Sequence, residues 1–253
     1  KVKDKINFFL NLNIGLVFLE VLYILILFNL FFDYDQGITR SAFYGGAASN
    51  VNIAAFSLAF KSPFIIYKLF RVNNNSKFLF YLLLFSSMLF CIFVSFSRGG
   101  FVALSFSIIT ALAYFLFFEY KKNKKFFKIF SSIVFSFFIV FSTFNYLNKN
   151  KKSKDLTNSL VERYSSISIN TKDGSVNQRL RYYNQIISRA LENPFKGVGL
   201  GNHKLVSIKD DNFGIRNYII PYHAHNDFLQ ILSESGVFAL ISYLFIFYFV
   251  IRY

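Results

Sequence analysis

Apolar residues along this chain fall into unbroken blocks of about 20 residues, the length that crosses a bilayer core, separated by short basic or polar clusters. The blocks predict spans near 6–32, 48–67, 78–96, 101–118 and 126–147, and a sixth that begins near 236. Between the fifth and sixth lies a polar stretch, 148–224, holding most of the turn residues. Within it Val176, Leu180, Tyr183, Ile187 and Leu191 recur at helical spacing, while Arg179, Tyr182, Gln185 and Arg189 fall on other faces. That predicts an amphipathic helix over 176–192, lying on or near a membrane surface. The tail HAHNDFLQILSESG starts a further helix just before the last span. The pattern describes an all-α, polytopic helical membrane protein with about six spans and a large loop containing amphipathic helices. Its parts are five transmembrane helices over 1–147, the loop over 148–224, and an interfacial helix leading into a truncated sixth span over 225–253.

Composition sharpens this picture. A chain that is 54% hydrophobic and 16% charged is no ordinary soluble domain. The formal net charge of +15 would suggest nucleic acid in a soluble protein; here membrane lipids are the expected partners and nucleic acid is not, because the charge is distributed by loop. Lys1, Lys3 and Lys5, then Lys68, Arg71 and Lys77, then Lys121, Lys122, Lys124, Lys125 and Lys128 alternate with connections carrying only Arg40 and Arg98. The rule that basic residues stay inside makes the first set cytoplasmic and the second external. Alternation then places the long loop outside. The single cysteine, Cys91, lies in an apolar block and leaves no disulfide and no Cys-based metal site. Beginning at Lys1 and stopping inside an apolar run, the sequence reads as a piece of a longer membrane protein.

The expected external side collects the unusual polar groups: Arg40 with Gly45, Gly46, Asn50 and Asn52; Ser97, Arg98, Gly99 and Gly100; Arg179 and Arg181; Gly197, Gly199 and Gly201; His223, His225 and Asn226. Several polar groups meeting at membrane depth suggest a site. Each also has a plain reading. An interfacial Arg98 that snorkels is ordinary, and its two glycines fit a tight turn as well as an anion cradle. The run GVGLGN resembles a phosphate loop only superficially, since no strand precedes it, and a flexible turn is the better reading. His223 and His225, two apart, point to different sides of a helix, so a zinc pair would need an extended backbone, and only His203 is left as a third imidazole. No metal is expected; a lone His that accepts a proton from a hydroxyl or orients a substrate fits better.

Two ionisable residues sit deep in apolar spans, Glu20 and Lys61. Counted from the external ends of their spans they lie at nearly equal depth on consecutive antiparallel helices, which predicts a direct or water-bridged ion pair that fixes the packing of the first two spans. The alternative is that Lys61 marks the end of a short second span, with SPFIIYKLF lying along the interface.

The motifs together resemble the O-antigen ligase and polymerase superfamily, membrane glycosyltransferases that use polyprenyl-diphosphate-linked glycans. The matching segments are RSAFYGGAASNVNIA at 40–54, SRGG at 97–100, the helix from Arg179 to Pro194 running into GVGLGN, and AHNDFLQILSESG at 224–236. Tyr183 stands where the family often has Trp. The resemblance implies that Arg98 and Arg179 contact the donor diphosphate, where a guanidinium suits paired hydrogen bonds to oxyanions. It implies that His225 sits at the acceptor hydroxyl or beside the leaving diphosphate. Arg40 and Asn52 would line the same cavity, with Asn50 the competing register and Asn226 also in contact with substrate. Gly197 and Gly199 would shape the loop, and Glu234 would anchor the helix carrying His225. The family works without metal or nucleotide, so no cofactor is expected. Implied partners are a polyprenyl-diphosphate-linked oligosaccharide donor and a glycan or lipid-linked glycan acceptor, at a multi-pass bacterial inner membrane with the active site on the extracytoplasmic side. A transporter or flippase of an anionic lipid-linked glycan is the competing class, although inverted repeats are absent from the sequence.

Overall fold

The computed structural model describes residues 2–33, 38, 42–48, 50–119, 125–149, 174–210, 224 and 226–252. The helices are α1 (Val2–Phe31), α2 (Val51–Arg71), α3 (Asn75–Ser95), α4 (Arg98–Tyr114, continued by a π turn, Phe115–Glu119), α5 (Phe126–Leu147), α6 (Gly174–Glu192), α7 (His203–Asp210) and α8 (Asp227–Arg252). A short 3-10 segment, Ala42–Ala48, lies between α1 and α2. Among the described residues there is no strand. Helices α1 to α5 and α8 are each long and apolar enough to cross a membrane, so the chain is an all-α polytopic membrane protein. It divides into two compact units, Lys1–Ile167 and Ser168–Tyr253.

In the first unit, α2 lies deepest, and the packed interior includes Leu58, Ile65, Ile66 and Leu69 from it with Phe85, Met88, Leu89 and Ile92 from α3. Helix α4 turns Val102, Phe106 and Ile109 outward, and α5 does the same with Phe135, Phe138 and Phe141. Apolar side chains facing away from the bundle cost nothing where the solvent is lipid. Local chemistry sets the ends. The Asn50 side-chain oxygen accepts the N–H groups of Asn52 (2.9 Å) and Ile53 (3.4 Å) and starts α2; Asn74 accepts from Lys77 N–H (3.0 Å) and starts α3. Cross-bonds gather the helix ends. Ile38 N–H donates to the Asn148 side chain (2.9 Å), and the Lys125 ammonium donates to the Val72 carbonyl (2.8 Å), so the connections expected on one side of a membrane do meet.

The expected ion pair is present: Lys61 Nζ lies 3.1 Å from Glu20 Oε2. Ser57, one turn before Lys61, completes it by donating to Glu20 Oε2 (3.1 Å) and accepting from Lys61 Nζ (2.6 Å). The alternative of a short second span fails, because α2 continues through Pro63 to Arg71 without a break. Proline removes the N–H that would reach the Ala59 carbonyl. The Ser62 hydroxyl donates to that carbonyl instead, at 2.8 Å.

In the second unit α8 begins at Asp227, ahead of the position 236 expected for the span, and is interrupted at Gly236 (φ 81°, ψ −177°). A left-handed φ of this kind favours glycine. The break releases helical hydrogen bonds, and the loop after α6 takes them up: Val198 N–H donates to Ser233 O (2.8 Å), Gly199 N–H to Glu234 O (2.8 Å), and Val237 N–H to Pro194 O (2.8 Å). A Cβ on Gly236 would strike the Phe195 carbonyl, and one on Gly197 the Glu234 backbone at 2.5 Å. Loop and kink are thus interlocked through backbone.

Candidate functional site

Each unit carries part of the expected set. Arg40, His223 and His225 lie outside the described residues. In the first unit, Phe96 ends α3 in the left-handed region (φ 51°), and the Ser97 side-chain oxygen accepts Gly100 N–H (3.2 Å) to start α4. Arg98 is therefore the first residue of α4, half-buried. The glycines after it are used for packing: a Cβ on Gly100 would lie 2.6 Å from the Ala55 Cβ, and one on Gly99 would lie 2.7 Å from the Phe56 ring. Small residues let α4 close on α2. The contact sets the start of α4, where Arg98 sits, beside α2, the helix that Asn50 caps and on which Asn52 sits half-buried. At the same end Tyr44 is buried with Val51, Val94, Phe96 and Phe144. Desolvation pushes its phenol above the ordinary range, so it remains a neutral hydroxyl. Sequence reasoning overlooked Tyr44, and the aromatic before Gly45-Gly46 was the available signal.

In the second unit, Arg179 is exposed on α6. The packed face of that helix carries Tyr182, Ile186 and Arg189. Leu180 (46% exposed), Ile187 (45%) and Leu191 (78%), from the expected apolar stripe, point outward, as the face of a surface-lying amphipathic helix does. The N–H groups of Val198 and Gly199 in GVGLGN are spent on the α8 carbonyls, so they hold the kink and are not free to cradle phosphate. Asn226 caps α8, its side-chain oxygen accepting Leu229 N–H (3.2 Å). Glu234 is buried, its carboxylate accepting from the Gln230 amide (3.3 Å), whose oxygen in turn accepts Ala224 N–H (3.4 Å). Gln230, absent from the sequence-based set, thereby ties Glu234 to the backbone just ahead of position 225. His203 is buried at the start of α7, its Nε2 3.3 Å from the Ser207 hydroxyl.

Residues 82–244 match the family model described as O-antigen ligase. That stretch is 163 of 253 residues (244 − 82 + 1). The chain belongs to the O-antigen ligase family. Comparison with curated proteins and with solved structures gives no match. The matched stretch of this O-antigen ligase family member includes Arg98, Arg179, the Gly197–Gly199 loop, Asn226 and Glu234, and leaves out Arg40, Asn50, Asn52 and the Glu20–Lys61 pair. Membership carries a glycosyltransferase type of activity and lipid-linked glycan substrates in general terms.

Proposed function

We propose that this protein transfers or polymerises glycan from a polyprenyl-diphosphate donor on the extracytoplasmic face of the bacterial inner membrane, in surface polysaccharide biosynthesis. The observation that carries the reading is the family match over 82–244, which takes in both Arg98 and Arg179. An acceptor hydroxyl attacks the anomeric carbon of the donor, the bond from that carbon to the diphosphate oxygen breaks, and the lipid diphosphate departs with the electron pair. The acceptor proton goes to His225 or to the departing diphosphate.

Leaving-group departure needs charge stabilisation more than a strong nucleophile. Arg98 and Arg179 supply it through charge-assisted hydrogen bonds. Arg98 adds a feature of its own, because it opens α4. A cation at the positive end of the helix dipole is locally unfavourable. A diphosphate oxygen would relieve that conflict, since helix N-termini and guanidinium both attract oxyanions. Asn52, Asn50, Arg40 and Asn226 line the substrate path, while Gly197, Gly199 and Glu234 hold the start of α8. The outward apolar stripe of α6 rests on the membrane surface and keeps Arg179 at headgroup level.

The test is transfer itself. Purified protein in lipid nanodiscs receives a defined polyprenyl-diphosphate oligosaccharide and a candidate acceptor, with products read by mass spectrometry. A new glycosidic bond and released lipid diphosphate are expected. Movement of the donor across proteoliposomes with no bond formed would overturn the reading in favour of transport.

A further inference from the structure

A buried phenol in the first unit has no part in the mechanism above. Tyr44 is 3% exposed and stands in the 3-10 segment between α1 and α2. Its ring lies 5.6 Å from that of Phe28 and packs in a cluster with Val51, Val94, Phe96 and Phe144. The glycines that follow fix the segment: Gly46 has a left-handed φ of 58°, and a Cβ on Gly45 would lie 2.5 Å from the Asn50 backbone nitrogen. Tyr44 is thus held where two stretches of the site meet. Val51 opens the helix that carries Asn52, and Phe96 caps α3 just ahead of Ser97 and Arg98.

The fold uses the ring of Tyr44 and leaves its hydroxyl idle. Every other aromatic side chain of the cluster is Phe, and a Phe at 44 would fill the same space without drawing a polar group out of water. The neighbouring hydroxyls at the α3–α4 junction are engaged, Ser95 donating to the Ile92 carbonyl (2.6 Å) and Ser97 accepting Gly100 N–H (3.2 Å). That of Tyr44 has no hydrogen-bond partner among the described residues, although buried hydroxyls as a rule have one. Nor is it sealed in, since it is not among the fully enclosed polar atoms that lack a partner; a ligand can reach it. A donor on a ring already fixed by packing loses little freedom on binding. Because desolvation keeps the phenol protonated, it can offer a hydrogen bond without giving up the proton. Such a bond is strongest to an anionic oxygen, and the anion proposed for this end of the unit is the diphosphate at Arg98.

We infer that Tyr44 is a further diphosphate-binding residue, its O–H donating a hydrogen bond to an oxygen of the lipid diphosphate held at Arg98. The inference rests on the glycan-transferring reading, and its test has a readout separate from transfer. The full chain and its Tyr44→Phe variant, in phosphatidylcholine nanodiscs that supply no anionic headgroup, are titrated calorimetrically with farnesyl diphosphate and with farnesol. The variant should bind farnesyl diphosphate about tenfold or more weakly, the usual weight of a hydrogen bond to a charged group, and farnesol as the wild type does. Its melting temperature should be unchanged or slightly raised, because the hydroxyl serves no contact in the fold. Equal affinity of the two proteins for farnesyl diphosphate, or no binding of it by the wild type, overturns the assignment. So does a parallel loss of farnesol binding, which would trace the effect to the ring, and so does a clear fall in melting temperature, which would give the hydroxyl to the fold. Weaker diphosphate binding in the variant of a protein that transfers no glycan would sink the transfer reading and leave Tyr44 standing; unchanged binding beside normal transfer would do the reverse.

Discussion

Lys61→Met removes the ammonium from the Glu20–Lys61 pair and leaves a carboxylate in the middle of α1. Counting from the helix ends, Glu20 is 11 residues from Phe31 and Lys61 is 10 from Val51. At 1.5 Å per residue these are depths of about 17 and 15 Å, close to the midplane of a hydrocarbon core about 30 Å thick. The two side chains are 18% and 14% exposed, so solvent screens the pair little. Removing one partner of an enclosed pair costs about 3–5 kcal/mol, and a single charge at the centre of a span costs about 2.5–3.5 kcal/mol on insertion scales. Ser57 still donates to Glu20 in the variant, which argues for the lower end. The expectation is therefore about 3 kcal/mol, a fall of over 100-fold in the folded ratio at about 1.4 kcal/mol per decade. Glu20→Lys, which sets two ammonium groups together, should be worse. The double variant Glu20→Lys with Lys61→Glu should recover all but about 1 kcal/mol, because Ser57 can serve either polarity. The assay is the fraction of detergent-solubilised protein that stays monodisperse after graded heating. A double variant no more stable than the worse single one, or Lys61→Met behaving like wild type, would refute the account.

Arg179→Lys keeps the charge and loses the bidentate fork, so turnover should fall by roughly 10- to 100-fold, the weight of one strong charged hydrogen bond, at equal membrane abundance. Wild-type turnover would remove Arg179 from the reaction. Gly236→Ala should cost about 3 kcal/mol or more, adding strain at positive φ to a collision with the Phe195 carbonyl. Gly201→Ala, also at positive φ (73°) but with open space around its Cβ, should cost only about 1 kcal/mol; similar melting shifts in the two would show that the interlock carries no weight. Transfer activity should survive a chelator if, as proposed, guanidinium stabilises the leaving group; complete loss restored by one added metal would contradict this.

The spans were legible because length and hydropathy are one-dimensional quantities, and the Glu20–Lys61 pair was legible because equal depth on neighbouring antiparallel helices needs only counting. What depends on a distant partner was not. That Gly99 and Gly100 make room for Phe56 and Ala55, more than forty residues earlier, is a fact of this kind. Amphipathicity marked Leu180, Ile187 and Leu191 as a stripe that avoids water. Whether such a stripe meets protein or lipid is a tertiary matter, and the packed face proved to be Tyr182, Ile186 and Arg189. The sequence likewise places the last span at 236, where the apolar run starts, because a break inside a continuous helix axis leaves no hydropathic mark.

The motifs shared with the O-antigen ligase family separate into two physical kinds. Gly100 against Ala55, Gly197 against Glu234 and Gly236 against Phe195 are all close backbone or helix approaches; each is sufficiently explained by the fold, so none of them points to chemistry by itself. The arginines are different. Arg98 opens a helix against its dipole, and Arg179 stands exposed on α6. The position of Arg98 is not one that local stability would choose for a cation. Where sequence departs from what its own fold prefers, a functional demand is the usual reason. On the proposed chemistry, a diphosphate oxygen at Arg98 would supply what the start of α4 lacks.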